Sequence, residues 1–143
     1  MLGGVRVPYH VGLEGHSDAD VLAHAVADAL LGAAGQGDIG QLFPSEDPAF
    51  EDADSLQLLA EVAARVRAAG YEVGNVDAVI VCEAPRLAPH LATMARNLAR
   101  SMGVDEGRAS VKATTTEGMG YEGRREGISA TAVCLLQRAQ SRD

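Results

Sequence analysis

Between residues 17 and 35 the apolar positions Val21, Leu22, Ala25, Val26, Ala29, Leu30 and Ala33 recur at helical spacing, which predicts an amphipathic helix. The preceding Ser17-Asp18-Ala19-Asp20 has the capping-box pattern, with Ser17 expected as N-cap and Asp20 reaching back from the third helical position. Gly35 and Gly37 supply the stop. A second helix is predicted from Leu56, Leu59, Ala60, Ala63 and Val66, capped by Asp54 or Ser55 and ending at Gly70. The nearly continuous apolar run over 76–82 (VDAVIVC) predicts a central strand, buried on both faces. Ala84, Pro85, Arg86 and Leu87 then turn the chain into a third helix that runs to about residue 102. Residues 110–114 and 128–136 read as strands, and 2–8 (LGGVRVP) as a further short strand. Residues 37–53 are too rich in Gly, Pro and acids for a regular element, yet carry Ile39, Leu42, Phe43 and Phe50. They read as an ordered functional loop.

The resulting order β-α-α-β-α-β-β predicts an α+β fold, a two-layer arrangement of a mixed sheet with its helices on one face. The 143 residues, 47% hydrophobic, suit one domain with a core of Ala, Val, Leu and Ile. One helix layer leaves the other sheet face bare, and self-association is the economical cover. The net charge of −8 argues against nucleic acid and anionic membrane surfaces as partners, because both attract basic proteins. No apolar run approaches a membrane span and no secretory signal is visible. Cys82 and Cys134 sit in apolar runs and read as buried thiols. A soluble, cytoplasmic protein is therefore expected, in which an anionic ligand is held by local positive features.

Three groups could carry chemistry. Asp20, His24 and Asp28 fall on one stripe of the first helix at i, i+4 and i+8, which admits either a metal held by His24 with a carboxylate orienting it or a cap, a solvated acid and an ordinary histidine. The helix start beside His16 and Ser17 reads equally as a phosphate cradle or as a helix start and no more. Finally, Lys112-Ala113-Thr114-Thr115-Thr116-Glu117-Gly118 leaves a strand with three consecutive hydroxyls, an acid and the chain's one lysine. It reads either as a β-edge with a threonine ladder or as a phosphate-binding strand end in which Glu117 holds a hard divalent cation.

The stretches GHSDADVLAHAVADALLGAAGQGDIGQLFPSEDPAF, NVDAVIVCEAPRLAPH and VKATTTEGMGYEGRREGI closely resemble the 2-C-methyl-D-erythritol 2,4-cyclodiphosphate synthase family, lyases of the non-mevalonate isoprenoid pathway. The resemblance implies a homotrimer whose sheets face the three-fold axis and whose active sites lie at subunit interfaces. It implies a substrate, 4-diphosphocytidyl-2-C-methyl-D-erythritol 2-phosphate, whose own 2-phosphate attacks the β-phosphorus while CMP leaves. His24 matches a zinc ligand. His16 and Ser17 match phosphate contacts, His16 also a transition-state stabiliser. Asp38, Ile39 and Gly40 match a segment that meets the erythritol hydroxyls, and Phe43, Pro44, Ser45, Glu46 and Asp47 a substrate-contacting loop, with Ser45 where an acid is common. Cys82, Glu83, Ala84, Pro85, Arg86, Leu87 and Ala88 match the cytidine pocket, read largely through backbone groups. Thr114, Thr115, Thr116 and Glu117 match the diphosphate-binding run, Thr115 as the transition-state stabiliser and Glu117 as the ligand of Mg²⁺ or Mn²⁺. Tyr121 and Arg124 match further substrate contacts, while Arg125 replaces a common glycine. So anionic a substrate on a chain of net charge −8 implies that metals, helix N-termini, Lys112 and Arg124 reverse the field locally.

The family pattern also places an Asp-x-His zinc pair on a strand ahead of the position of Leu2. The resemblance therefore implies a single domain over 1–143 that is incomplete at its N-terminus, with an incomplete zinc (or other divalent-ion) site at His24. Such a chain is expected to bind CDP-type ligands with Mg²⁺ but to retain little zinc and little cyclase activity. Two rivals follow: a non-catalytic trimeric nucleotide-binding module that has lost its zinc site, and a metal-dependent phosphohydrolase that uses water as nucleophile.

Overall fold

The computed structural model describes residues 1–7, 20–42, 54–124 and 127–139. Among the described residues, three helices of twelve or more residues, α1 (Val21–Ala33), α2 (Ser55–Ala68) and α3 (Leu91–Met102), accompany three strands, β1 (Tyr71–Val81), β2 (Ala109–Thr114) and β3 (Ser129–Arg138). The sheet order is β2-β1-β3. β1 runs parallel to β2, with Val81 opposite Thr114, and antiparallel to β3, with Val81 opposite Ser129. The predicted mixed sheet with a central β1 is therefore present, and β1 begins earlier than its apolar run suggested. A register shift between Val73 and Asn75, at Gly74, lets the polar start of the strand pair on.

Alternation along the strands sorts their side chains. Val76, Ala78, Ile80 and Cys82 are buried and face the helices, where they meet Leu22, Val26, Leu30, Leu59, Met94 and Leu98. The buried side chains of the described residues are aliphatic or sulfur-containing, apart from Asp20. On the opposite face Val133 and Leu135 remain 64% and 63% exposed. Among the described residues no element lies over this face, as the one-sided helix arrangement predicts.

Two expectations at the front of the chain are corrected. Residues 2–5 form a turn closed by a two-residue bridge between Leu2 and Val5, and not a strand, because Gly3 and Gly4 adopt left-handed φ of 54° and 74°. A Cβ on Gly3 would lie 2.8 Å from Met94 Cβ, and one on Gly4 2.4 Å from Leu56 Cδ1, so only glycine lets the turn seat against α2 and α3. Asp20 is itself the N-cap of α1, with extended φ and ψ of −102° and 90°, which is incompatible with the third position of a helix started by Ser17. Its buried carboxylate accepts hydrogen bonds from Ala23 N–H (3.0 Å), Gly3 N–H (2.9 Å) and Gly4 N–H (2.8 Å). One side chain thus caps α1 and fastens the first turn to it. At α2 it is Asp54 that caps, accepting from Leu56 N–H. The third helix starts later than expected: residues 82–87 are irregular, and a 3-10 turn (Ala88–His90) leads into α3.

Candidate active site

Because β1 and β2 are parallel neighbours, the segments that follow them leave the same edge of the sheet, the usual location of ligand crevices in such sheets. Cys82 N–H extends the ladder by donating to the Thr114 carbonyl at 3.0 Å. Beyond that bond the chains diverge into 82–88 and 114–118, which the sequence marked as separate candidates and which the fold brings together. The Ala84–Pro85 peptide is cis. The Cys82 thiol is buried and donates to the Ala84 carbonyl (3.2 Å). Burial first, and the nearby Glu83 carboxylate as well, push this thiol above its ordinary range, against a backbone hydrogen bond at Ala84.

Glu83 joins the two segments. Its Oε1 accepts from Gly118 N–H at 2.9 Å, from Thr116 N–H at 3.1 Å and lies 3.4 Å from the Thr116 hydroxyl, which also reaches the Met119 carbonyl. Met119 N–H donates to the Thr116 carbonyl, closing a turn whose central residues, Glu117 and Gly118, have φ of 55° and 86°. Left-handed values at both positions are those of a type I′ turn. Glycine suits this conformation, but Glu117 adopts it at a cost, and such strain concentrates at functional sites. Glu117 is exposed, and its N–H donates to Thr115 Oγ1 (3.2 Å). Thr114 and Thr115 are likewise exposed at the strand end.

Lys112 does not serve this edge. Its Nζ lies 2.9 Å from Asp77 Oδ2 on the neighbouring strand, so the charge expected to meet the anion is engaged on the bare sheet face. Past the turn, Gly123 packs directly on the Gly118 backbone and the exposed Tyr121 ring lies against Gly127. Arg124 closes the short helical turn through its N–H to the Gly120 carbonyl.

The remaining candidates form a second group. His24, half-buried on α1, has Nε2 3.2 Å from Ser55 Oγ at the start of α2. One turn on, Asp28 accepts from Ile39 N–H (2.9 Å), and Asp38 accepts from Gln41 N–H (2.9 Å), so the 38–40 segment is a helical turn (Ile39–Leu42) tied to α1. The expected stripe is divided in use: Asp20 serves the backbone, Asp28 the 38–40 turn, and neither orients His24. Among the described residues no group of three His, Cys, Asp or Glu could hold a metal ion, so His24 is not part of a complete zinc site there. No hydrogen bond among the described residues joins it to the 114–118 edge. His16, Ser17, Phe43, Pro44, Ser45, Glu46, Asp47 and Arg125 lie outside the described residues.

The sequence profile of the YgbB family matches residues 1–137. The chain belongs to the YgbB family. A relative in Cupriavidus necator named 2-C-methyl-D-erythritol 2,4-cyclodiphosphate synthase is 57% identical over 143 residues, spanning 100% of this chain and 85% of the relative. Another of the same name, from Rubrobacter xylanophilus, is 60% identical over 139 residues, 97% of this chain and 84% of the relative. A solved structure described as 2C-methyl-D-erythritol-2,4-cyclodiphosphate synthase in a CDP-bound form superposes with a TM-score of 0.84 at 36% identity, covering 96% of this chain and 89% of that one. The small mixed sheet and its helices are thus those of this YgbB family structure. No helix among the described residues is long and apolar enough to cross a membrane.

Sequence reasoning missed three contributors: Glu83 as a link between the two strand ends, Asp28 as the tether of the 38–40 turn, and Ser55 as the partner of His24. The parallel pairing of β1 with β2 is the fact that would have pointed to Glu83, and local sequence does not carry it.

Proposed function

We propose that this chain converts 4-diphosphocytidyl-2-C-methyl-D-erythritol 2-phosphate into 2-C-methyl-D-erythritol 2,4-cyclodiphosphate and CMP, in place of the little activity expected from an incomplete zinc site, because synthase-named relatives match it over its whole length. The observation that carries the reading is the convergence of 82–88 and 114–118 at one sheet edge, in a family with CDP-bound and synthase-named relatives. Those names favour a synthase over a non-catalytic nucleotide-binding module.

In the reaction an oxygen of the 2-phosphate bonds to the β-phosphorus, the bond from that phosphorus to the α-phosphate oxygen breaks, and CMP departs with it. The nucleophile belongs to the substrate, so the protein supplies orientation and charge stabilisation. The 82–88 segment holds the cytidine through backbone groups, and Thr114 to Glu117 meet the diphosphate. Thr115 Oγ1 accepts from Glu117 N–H, which leaves its own proton to donate to an oxygen gaining charge. Glu117 is exposed and has no ion-pair partner among the described residues, which suits a hard divalent cation held by one carboxylate together with phosphate oxygens. When bound, Mg²⁺ or Mn²⁺ there neutralises the diphosphate. His24 offers one nitrogen ligand and no step is assigned to zinc.

The exposed sheet face with Val133 and Leu135 supports a homotrimer built sheet to sheet about a three-fold axis, with sites completed between subunits. Incubation with the substrate and Mg²⁺, followed by nucleotide chromatography, tests the proposal. CMP is the expected nucleotide; release of CDP, or no release, would overturn it.

A further inference from the structure

We propose that Glu83 is a positioning residue for the phosphate-binding turn, acting through Thr115 and Glu117 without itself touching the substrate. The inference rests on the reaction proposed above and adds a residue whose side chain that reaction does not use. A single oxygen, Oε1, takes the amide hydrogens of Thr116 and Gly118 and sits beside the Thr116 hydroxyl. These donors flank Glu117 on both sides. The turn they belong to places a non-glycine residue at φ 55°, a conformation that persists only when the surroundings over-determine it. The neighbouring restraints from the turn itself are Met119 N–H to the Thr116 carbonyl and the close seating of Gly123 on Gly118; among the described residues, Glu83 is the one whose side chain reaches in from the segment that follows β1.

The consequence is directional. With Thr116 and Gly118 amides held by Glu83, the open side of the turn presents the Thr115 hydroxyl and the Glu117 carboxylate together. Hydrogen bonds from amides to an ionised acceptor are the stronger kind, and one oxygen at a fixed position suffices to accept them. An amide oxygen at the same place can accept the same hydrogens, whereas a shorter carboxylate cannot reach. The charge strengthens these bonds, but the position of the acceptor is what sets the turn's geometry.

Three variants test this: Glu83→Ala, Glu83→Gln and Glu83→Asp. Steady-state kinetics are measured alongside backbone hydrogen exchange in ligand-free protein. Glu83→Ala and Glu83→Asp are expected to lower kcat on the order of ten- to a hundredfold, as misplacement of reacting groups does, with KM little changed. Glu83→Gln is expected to stay within about threefold of the parent, an estimate for an acceptor whose position is preserved. Exchange of the Thr116 and Gly118 amides should speed up in the first two variants and not in the third, while α1 and β3 amides keep their protection. Should Glu83→Ala fail to fold, the Asp and Gln pair carries the same contrast. Normal kcat in Glu83→Asp or Glu83→Ala overturns the proposal, as does a Glu83→Gln enzyme as impaired as the alanine variant, which would mark the charge or a substrate contact as the role. If the parent protein itself yields no cyclic product, the reaction assignment fails, and the exchange pattern still decides whether Glu83 holds the turn.

Discussion

Replacing Asp20 by alanine tests whether one carboxylate really fastens the first turn to the helical layer. Asp20 is 2% exposed, and its removal strands three amides at once: Gly3 and Ala23, both buried, and Gly4, half-buried. The Ala23 bond is an ordinary N-cap interaction worth about 1 kcal/mol. Each further buried donor left without an acceptor costs about 1–3 kcal/mol, with the Gly4 amide at the lower end because water can approach it. The expected total is about 3–5 kcal/mol, allowing for partial relaxation. Asp54→Ala is the internal control, since Asp54 caps α2 through one exposed bond to Leu56 N–H and its loss costs about 0.5–1 kcal/mol. Equilibrium unfolding in urea, followed by circular dichroism at one fixed protein concentration, reads both as midpoint shifts at constant slope. Equal losses of stability in the two variants would show Asp20 to be a cap and nothing more.

Glu117→Gly removes the left-handed strain at φ 55°, which is worth about 1–2 kcal/mol, against up to about 1 kcal/mol of extra unfolded-state entropy. The variant should therefore melt slightly higher while losing divalent-ion-dependent turnover; a lower melting temperature would contradict the strain argument. Leu135→Asp places a charge on the sheet face where Leu135 is 63% exposed, and the homotrimer proposed above should then give way in sedimentation to the mass of one chain. An unchanged assembly would show that the face is not the contact. The raised Cys82 thiol predicts slow alkylation at pH 8 in the folded protein and ordinary rates in urea. Because its native value lies above the unfolded one of about 8.5, its contribution to stability is complete below that pH and is withdrawn as pH rises through the native value. A Cys82→Ala variant should lose the Cys82 share of that alkaline dependence, while the Cys134 thiol, also raised by burial, keeps its own; an unaltered profile would count against the assignment.

Periodicity made most of the fold legible. The helices over Val21–Ala33 and Ser55–Ala68 and the central place of β1 follow from apolar spacing, because each buries one continuous stripe or run. What local pattern could not carry was long-range. Residues 2–8 look extended through Val5 and Val7, but the two glycines and a carboxylate sixteen and seventeen residues away make a turn of their first half. Asp20 looks like the third position of a capping box because the same residue types serve both roles, and only its extended backbone separates them. At the candidate site the strand-end threonines and Glu117 stood out by composition. The role of Glu83 did not, since an acid after an apolar strand is unremarkable until the parallel partner places Thr116 and Gly118 beside it. Lys112 misled for a related reason: adjacency in sequence suggested the anion, while the register of β1 and β2 handed it Asp77.

The central claim is intramolecular cyclisation at the edge shared by β1 and β2. Phosphorus NMR of a single-turnover reaction, with the protein in excess over 4-diphosphocytidyl-2-C-methyl-D-erythritol 2-phosphate and Mg²⁺ present, tests it most directly. Two coupled diphosphate resonances of the 2,4-cyclodiphosphate, growing in step with CMP, are the expected result. A linear phosphate product formed from water, or recovery of intact substrate, would contradict the claim.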